Sequence, residues 1–525
     1  MSVEQVKVRL EPLSVEVVVP RGVTLISSLA AHGLEFPCGG TGVCGGCGVC
    51  VLSGSLPVSD ADRTAFSEAQ LSDGWRLACQ ARAEMPLVLE CGQWHMDMLA
   101  DNSVSAGSGK HGLGIAIDLG TTTIAAQLIE LASGRVLAVE TALNPQARFG
   151  ADVMSRVQAA LSGSDLTAPV RSALGEILVK LVDGREQEVA EVILVGNTVM
   201  HHLFSGLGVE PLSHVPFASP YLGAQRFTAG ELGWHLPAGC TIRFAQCLGG
   251  FVGSDILAGI IACGITNGDD LVALVDLGTN GEIAIGNRHG VVCASTAAGP
   301  AFEAGAIRMG MRAATGAVSQ AQLRDGGMQV TVIGDVGPRG ICGSGLVDAV
   351  AAGLSSGAIL PSGRIADGTK LFRVTGPVVL YQADIRELQL AKAAIAAGFR
   401  LVLKRMNAHM CDLKRIHLAG AFGNYVRIAS AIRIGLIESP DSLMHAAGNT
   451  ALRGAKMLLA AREEPCLPRI DHLSLAAVPS FQDQFADCMT FPNDTSTSHN
   501  FESGPKDVPH ILDEQGHLAR RRWHE

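Results

Sequence analysis

A chain of 525 residues is long enough for roughly three or four domain-sized units, and 47% apolar residues with 62 glycines supply large buried cores. No apolar run approaches the roughly 20 residues of a bilayer span, and no basic segment leading into an apolar one opens the chain as a secretory signal would. The formal charge of −10 excludes a general nucleic-acid binder, which needs a basic face.

The expected compartment is the cytoplasm, where thiols stay reduced, so the 14 cysteines point to ligation, chemistry or burial rather than disulfides. Six of them fall in the first 91 residues, in a stretch patterned for strands. "KVRL" and "SVEVVVP" read as two strands. "TLISSLAAHG" has Leu25 and Leu29 on one helix face and closes on Gly33. "CGVCVLSG" and "MPLVLE" are further strands, with a short helical stretch near Ser67 between them. A hairpin, a helix and more strands predict a β-grasp arrangement over residues 1–92. Within it Cys38, Cys44 and Cys47 are separated by five and two residues, and Cys79 comes from a distant turn. That three-plus-one pattern is the pattern of a [2Fe-2S] cluster, with one more residue in the first gap than the plant-type spacing. Gly40-x-Gly42-x-x-Gly45 also matches a dinucleotide fingerprint, but that motif needs a long helix after it, and β-like residues follow here. Zinc held by four cysteines is the other alternative. Cys50 and Cys91 are expected to be buried thiols.

The module resembles the [2Fe-2S] ferredoxin family, with a first gap similar to the adrenodoxin-like branch. The resemblance implies a one-electron carrier with Cys38, Cys44, Cys47 and Cys79 as ligands. Residues 93–112, ending in "DNSVSAGSGKHG", are expected to be a flexible linker.

From residue 113 onward the chain repeats itself. "GIAIDLGTTTIAAQLIEL" and "LVALVDLGTNGEIAIGN" share one plan: a buried strand, Asp-Leu-Gly-Thr, a polar residue and a second apolar strand. Two related subdomains follow, expected over 113–265 and 266–480. Gly120 and Gly278 permit tight turns that expose N–H groups, and Thr121, Thr122, Thr279 and Asn280 add polar groups suited to a phosphate chain. Asp118 and Asp276 end their strands, where a carboxylate can hold magnesium, directly or through its waters, and orient an attacking water. No Walker sequence stands at either place, so the phosphates are expected between two hairpins facing each other across a cleft. "RIHLAGAFGN" is a strand running into Gly420 and Gly423, while "EVILVGNTVMHHLF" and "GICGSGLVDAVAAGL" place small residues at helix starts. Glu282 is a weaker hydrolytic candidate, with an ordinary strand-surface role as the alternative. His201 and His202 are expected to pack or cap, and Glu303 to lie at the cleft or a partner face. Residues 481–525 are expected to form a disordered polar tail.

The order of these elements resembles the actin, sugar kinase and chaperone ATPase superfamily. Asp118-Leu-Gly-Thr and Asp276-Leu-Gly-Thr stand as its phosphate hairpins and Leu418-Ala-Gly-Ala-Phe-Gly as its adenosine motif. The implied fold class is α/β: a β-grasp ferredoxin (α+β) followed by a two-subdomain actin-like, ribonuclease H-like ATPase. With the ferredoxin in front, the chain resembles the reductive activators of corrinoid-dependent methyltransferases. "DLGTTTIAAQL", "NPQARFGADVMSR", "ILVGNTVMHHL", "DLGTNGEIA", "AAGPAFEAGAI" and "GSGLVDA" carry that resemblance. It implies ATP and Mg2+ beside the [2Fe-2S] cluster, with ATP hydrolysis coupled to electron delivery onto a Co(II) corrinoid protein. An external electron donor is also implied, and a homodimer is the candidate assembly. Relatives can carry a separate middle domain between linker and ATPase; Asp118 follows the linker almost at once, so that domain is expected to be missing. The alternatives are an activator of another low-potential enzyme and a small-molecule kinase with a redox-sensing module.

Overall fold

The computed structural model describes residues 4–11, 15–30, 34, 36, 40–42, 47–91, 107, 109–150, 152–278, 280–313, 316–324, 327–461 and 465–493. Cys38, Cys44 and Thr279 lie outside the described residues, as does most of the expected linker.

Alternation of apolar and polar side chains makes Gln5–Glu11 (β1) and Val15–Pro20 (β2) an antiparallel pair with Val6, Val8 and Leu10 turned inward. Ile26–Ala30 (α1), Gly48–Ser53 (β3), Asp60–Ala65 (α2), Glu68–Ser72 (α3), Trp75–Leu77 (β4) and Leu87–Cys91 (β5) follow. Ser59 and Ser67 each close a capping box, which starts α2 and α3 where the sequence has little helix propensity to spare. The strand order β2-β1-β5-β3-β4, with β5 parallel to β1, is the expected β-grasp.

The first large sheet begins as a meander of Leu113–Leu119 (β6), Thr123–Glu130 (β7) and Arg135–Leu143 (β8). After the 3-10 turn Pro145–Phe149, Val153–Leu161 (α4) and Thr167–Val182 (α5) return the chain to Val189–Val195 (β9), parallel to β6. Thr198–Ser205 (α6), Gln225–Phe227 (β10), Ala229–Leu232 (α7) and Thr241–Phe244 (β11) complete the order β10-β11-β9-β6-β7-β8. Ser254–Ala262 (α8) leads to the second sheet, where Leu271–Leu277 (β12), Gly281–Asn287 (β13) and Gly290–Thr296 (β14) repeat the meander. A three-stranded sheet of Ala317–Arg324 (β15), Gly327–Val332 (β16) and Gly340–Ile341 (β17) is inserted next, followed by Gly343–Ser355 (α9). The hairpin Leu371–Thr375 (β18) and Val378–Tyr381 (β19) precedes the long helix Gln382–Arg405 (α10). Leu413–Ala419 (β20), parallel to β12, runs into Gly420–Tyr425 (α11) and Ile428–Arg433 (α12). Met444–Gly448 (β21), Thr450–Ala460 (α13), Ile470–His472 (β22) and Phe481–Asp487 (α14) finish the chain. The runs β9-β6-β7-β8 and β20-β12-β13-β14 have the same layout, as the repeated Asp-Leu-Gly-Thr segments imply.

Helix α13 departs from a division of the chain at residue 265. It packs on α8, β6 and β9, and its Ala451, Leu452, Ala455 and Leu459 share a core with Ala116 and Ile193 of the first sheet. The crossing with α8 is close because glycines lie at it: a Cβ on Gly454 would fall 2.0 Å from the Ala258 carbonyl oxygen.

Two ends expected to be loose are fastened. Lys110 Nζ pairs with Glu191 at 3.1 Å and donates to the Leu459 carbonyl at 3.3 Å, so the close of the expected linker is held against the first sheet. Residues 481–493 are not a free tail. Lys392, buried on α10, donates to the Thr490 carbonyl at 2.7 Å, Gln389 donates to the Met489 carbonyl at 2.8 Å, and Phe491 is 1% exposed. Sparse apolar residues among polar ones resembled a solvated segment; α10 supplies the face that buries them. Phe491→Ala is expected to destabilise the protein by about 3–5 kcal/mol in urea unfolding.

Candidate functional site

The two Asp-Leu-Gly-Thr segments form hairpin turns at the ends of β6 and β12. In the first, Gly120 N donates to the Thr123 carbonyl at 2.9 Å and closes the turn. Asn144 supports it from behind: its backbone N–H donates to the Thr122 carbonyl at 2.8 Å and its Nδ2 to the Gly120 carbonyl at 2.9 Å. Asn197, the N-cap of α6, donates from Nδ2 to Thr121 Oγ1 at 2.9 Å. In the second turn Gly278 N donates to the Asn280 carbonyl at 3.0 Å. Gly420 takes φ +82° beside it, and a Cβ there would lie 2.5 Å from Asp276 Oδ1, so only glycine lets α11 start this close to the carboxylate. A Cβ on Gly423 would approach the Leu418 carbonyl carbon at 3.1 Å.

Four carboxylates converge between these turns. Asp118 accepts from Asn449 Nδ2 at 2.9 Å, Asp276 faces Glu282 across the β12–β13 pair, and Glu282 accepts from Ser295 Oγ at 3.1 Å. The fourth is Asp255, at the start of α8, where Ile256 N donates to its Oδ1 at 2.8 Å. Desolvation pushes Asp118 up to about 6, and desolvation with the charge of Asp118 pushes Asp276 up to about 7. Asp255 rises to about 8 through desolvation and then the charges of Asp276 and Asp118; Glu282 is raised well above the usual range by desolvation, Asp255 and Asp276. Asp118, Asp255 and Asp276 are half-buried, so solvent reaches one edge of each although protein surrounds the rest.

Among the described residues no lysine or arginine contributes to these shifts, and no three His, Cys, Asp or Glu side chains could hold a metal ion by themselves. The arrangement fits a magnesium nucleotide. The uncompensated carboxylates need a cation, and magnesium characteristically keeps several waters and takes phosphate oxygens alongside one or two carboxylates.

Asp255 was not singled out in the sequence. The signal available was an acid at the head of an otherwise apolar helix, "GSDILAGIIA". Glu282 is 9% exposed and stands beside Asp255 and Asp276, which sets aside the alternative of an ordinary strand-surface acid. Glu303 is exposed at the end of the turn Pro300–Glu303.

His201 and His202 are fully buried in α6. His202 Nδ1 donates to the Thr198 carbonyl at 2.8 Å, which leaves Nε2 as the acceptor from Ser219 Oγ at 2.7 Å. His201 stands edge-on to Phe244 with ring centroids 5.0 Å apart, and burial lowers it to about 4. A histidine depressed in the folded state contributes stability that is complete above about 6.5 and is lost as the pH falls toward the folded value. His201→Phe is therefore expected to gain up to about 3 kcal/mol on the parent between pH 7 and pH 4, measured as the difference in urea midpoints.

In the ferredoxin module Cys47 and Cys79 are 1% and 2% exposed, and Ala78 N donates to the Cys47 carbonyl at 3.0 Å, which joins the two ligand segments. Gln80 Nε2 donates to Cys79 Sγ at 3.5 Å and to the Gly40 carbonyl at 3.0 Å. Gly40 and Gly42 take φ +89° and +81°, and a Cβ on Gly40 would come 2.6 Å from Ile26 Cδ1. Two buried thiols beside glycines in the left-handed region fit an iron-sulfur cluster. Cys50 Sγ donates to the Asp73 carbonyl at 3.1 Å, and burial pushes Cys91 up to about 12; neither is poised as a thiolate ligand.

Comparison with known proteins agrees with this geometry. The family described as a 2Fe-2S iron-sulfur cluster binding domain matches residues 8–84, which include all four candidate cysteines. The RACo middle region matches residues 113–268, and the C-terminal domain of RACo, the ASKHA domain, matches residues 270–502. The middle domain expected to be missing is therefore present: it is the first sheet, carrying Asp118. The chain is 33% identical over 411 residues to the corrinoid activation enzyme RamQ of Eubacterium limosum, covering 71% of this chain and 69% of that one. It is 26% identical over 385 residues to the Co(II) methylated amine-specific corrinoid protein reductase of Methanosarcina barkeri, covering 66% and 69%. Among solved structures, a reductive activator for corrinoid, iron-sulfur protein superposes with a TM-score of 0.64 at 26% identity, over 93% of this chain and 98% of that one. With a ferredoxin, a RACo middle region and an ASKHA domain in sequence, the chain belongs to the family of corrinoid activation enzymes.

Proposed function

We propose that this protein restores an inactive Co(II) corrinoid protein to Co(I), passing one electron from a [2Fe-2S] cluster held by Cys38, Cys44, Cys47 and Cys79 and hydrolysing ATP in the cleft. The observation that carries the reading is the convergence of Asp118, Asp255, Asp276 and Glu282 from two hairpins and one helix start, on the same chain as the buried cysteine loop. In this reading Gly120 and Gly278 close the two turns with their own N–H groups, and the turns so formed hold the phosphates with Thr121, Thr122, Thr279 and Asn280. Gly420 and Gly423 leave room for the adenosine. Asp118 and Asp276 would hold magnesium, directly or through its waters. Asp255 would accept the proton of the attacking water, with the neighbouring magnesium favouring its ionised carboxylate.

The transfer would reduce one cobalt from Co(II) to Co(I) and oxidise the cluster by one electron, which an external reductase or ferredoxin would resupply. Reduction of Co(II) to Co(I) lies below the reach of an ordinary [2Fe-2S] donor, and each 100 mV of deficit costs about 2.3 kcal/mol. ATP-driven closure of the two sheets can offset that cost by favouring a complex with the lower cobalt ligand displaced. A reducing cytoplasm suits the chain, since all twelve described cysteines are outside disulfides. The test is to mix reduced protein, Mg-ATP and a Co(II) corrinoid protein and follow the Co(I) absorption band. Reduction at the same rate without ATP, or phosphate transfer to a small-molecule acceptor, would sink the reading.

A further inference from the structure

The motif "NPQARFGADVMSR" has no place among the nucleotide or cluster ligands, yet it lies between the two sites. Asn144, 1% exposed, bonds the first phosphate turn twice, through its N–H to the Thr122 carbonyl and its Nδ2 to the Gly120 carbonyl. Its Oδ1 faces the other way and accepts from Gln146 N at 2.9 Å, capping the turn Pro145–Phe149. That turn lies against α1 of the ferredoxin module, within 8 Å between Cα atoms. Helix α1 in turn carries Ile26, whose Cδ1 fills the space at Gly40 of the cysteine loop.

The turn is braced on its own side. Gln146 Nε2 donates to the Leu166 carbonyl at 2.8 Å, and the fully buried Arg156 donates from Nε to the Gly150 carbonyl at 3.0 Å. Met200 sulfur sits between Asn144 Nδ2 at 3.4 Å and Arg156 Nη1 at 3.7 Å. A second contact seats the module on the other half of the chain: Arg339 Nη1 pairs with Glu90 Oε1 of β5 at 2.8 Å. The ferredoxin module therefore touches both halves that carry phosphate turns, and its contact with the first half is tied to the turn itself.

We propose that Asn144 is a positioning residue that links the state of the first phosphate turn to the seat of the ferredoxin module. The proposal rests on the nucleotide reading above. Phosphate binding reorients the Gly120–Thr122 peptides, and the carbonyls that rotate with them are the acceptors of Asn144. The same side chain holds the turn on which α1 rests, so nucleotide occupancy sets how the cysteine loop is presented.

The test is hydrogen exchange on the full-length, cluster-loaded protein with and without saturating Mg-AMP-PNP, followed in peptides spanning 117–124, 145–149 and 26–30. In the parent protein nucleotide is expected to protect 117–124 and to change exchange at 145–149 and 26–30 by at least about fivefold, the smaller end of typical coupling. Asn144→Asp keeps the acceptor for Gln146 N and loses the donor to Gly120. With nucleotide still protecting 117–124, its response at 26–30 is expected to vanish. Asn144→Ser, whose hydroxyl still reaches Gln146 N but not Gly120, serves the same comparison if the carboxylate unfolds the turn. A parental response at 26–30 in these variants would make Asn144 a cap only and overturn the proposal. Protection at 117–124 with no change at 26–30 in the parent would overturn it while leaving the nucleotide reading intact. Absence of protection at 117–124 would remove both.

Discussion

Asp255→Asn is expected to lower ATP hydrolysis by about 10²- to 10⁴-fold, the usual contribution of a positioned acid-base group, while making the protein more stable. The two effects have one cause. Asp255 is pushed up to about 8 because it is desolvated beside Asp276 and Asp118, so its ionised form is strained by the protein around it, and a magnesium ion held beside it would favour the carboxylate that takes a proton. The amide has the same shape, keeps the oxygen that accepts from Ile256 N, and carries no charge. An acid raised in the folded state costs nothing at a pH below its unfolded value near 3.8 and costs progressively more as the pH climbs toward the folded value. The stability gain should therefore be absent at pH 4, present at pH 8, and appear as a few degrees of melting temperature, at about 2–4 °C per kcal/mol for large domains. Phosphate release and thermal melts at the two pH values measure both effects. Hydrolysis within threefold of the parent would take Asp255 out of the chemistry, and an equal melting shift at both pH values would take it out of the charge cluster.

Asp255 also marks where sequence reading ends. Cys38, Cys44 and Cys47 share one loop, and each Asp-Leu-Gly-Thr segment is one hairpin, so their chemistry is written in contiguous residues. Asp118 and Asp276 stand at strand ends as their segments imply, because a buried strand followed by Gly has few ways to turn. Asp255 joins them only because α8 crosses between two sheets, and that crossing depends on Gly259 meeting Leu274 and on Gly454 meeting Ala258 from far along the chain. Asn449 reaches Asp118 from 331 residues away for the same reason. The division at residue 265 treated the two repeats as separate blocks, whereas α13 returns to the first sheet before β22 adds the last strand of the second. The packed segment 481–493 was missed because its burial depends on Lys392 and Gln389 of α10, polar residues that give no hydrophobic signal.

Cys79→Ala is expected to separate the two halves of the machine. Electron delivery to the Co(II) corrinoid protein should fall at least about 100-fold with loss of iron, since losing a ligand exceeds the 10–100-fold effect of losing its outer partners. ATP hydrolysis should stay within about threefold, because the phosphate turns are built from residues that do not fold around Cys79. The substitution removes one buried sulfur and leaves a small void, a cost of order 1 kcal/mol that a core containing Leu77, Val49 and Leu89 can bear. Cys50→Ala is the matched control: Cys50 is also buried in the module, but its sulfur is engaged with the Asp73 carbonyl, and iron content should be unchanged. Gln80→Ala probes the same site more gently. It removes the N–H donor to Cys79 sulfur, and because a donor favours the more negative, reduced cluster, the midpoint potential should fall while iron is retained. Iron content, visible absorption and potentiometry, measured beside phosphate release, read all three variants. Electron delivery that survives in iron-free Cys79→Ala protein would show that the cysteine loop is not the electron source, and hydrolysis lost together with iron would show that the two sites cannot be separated.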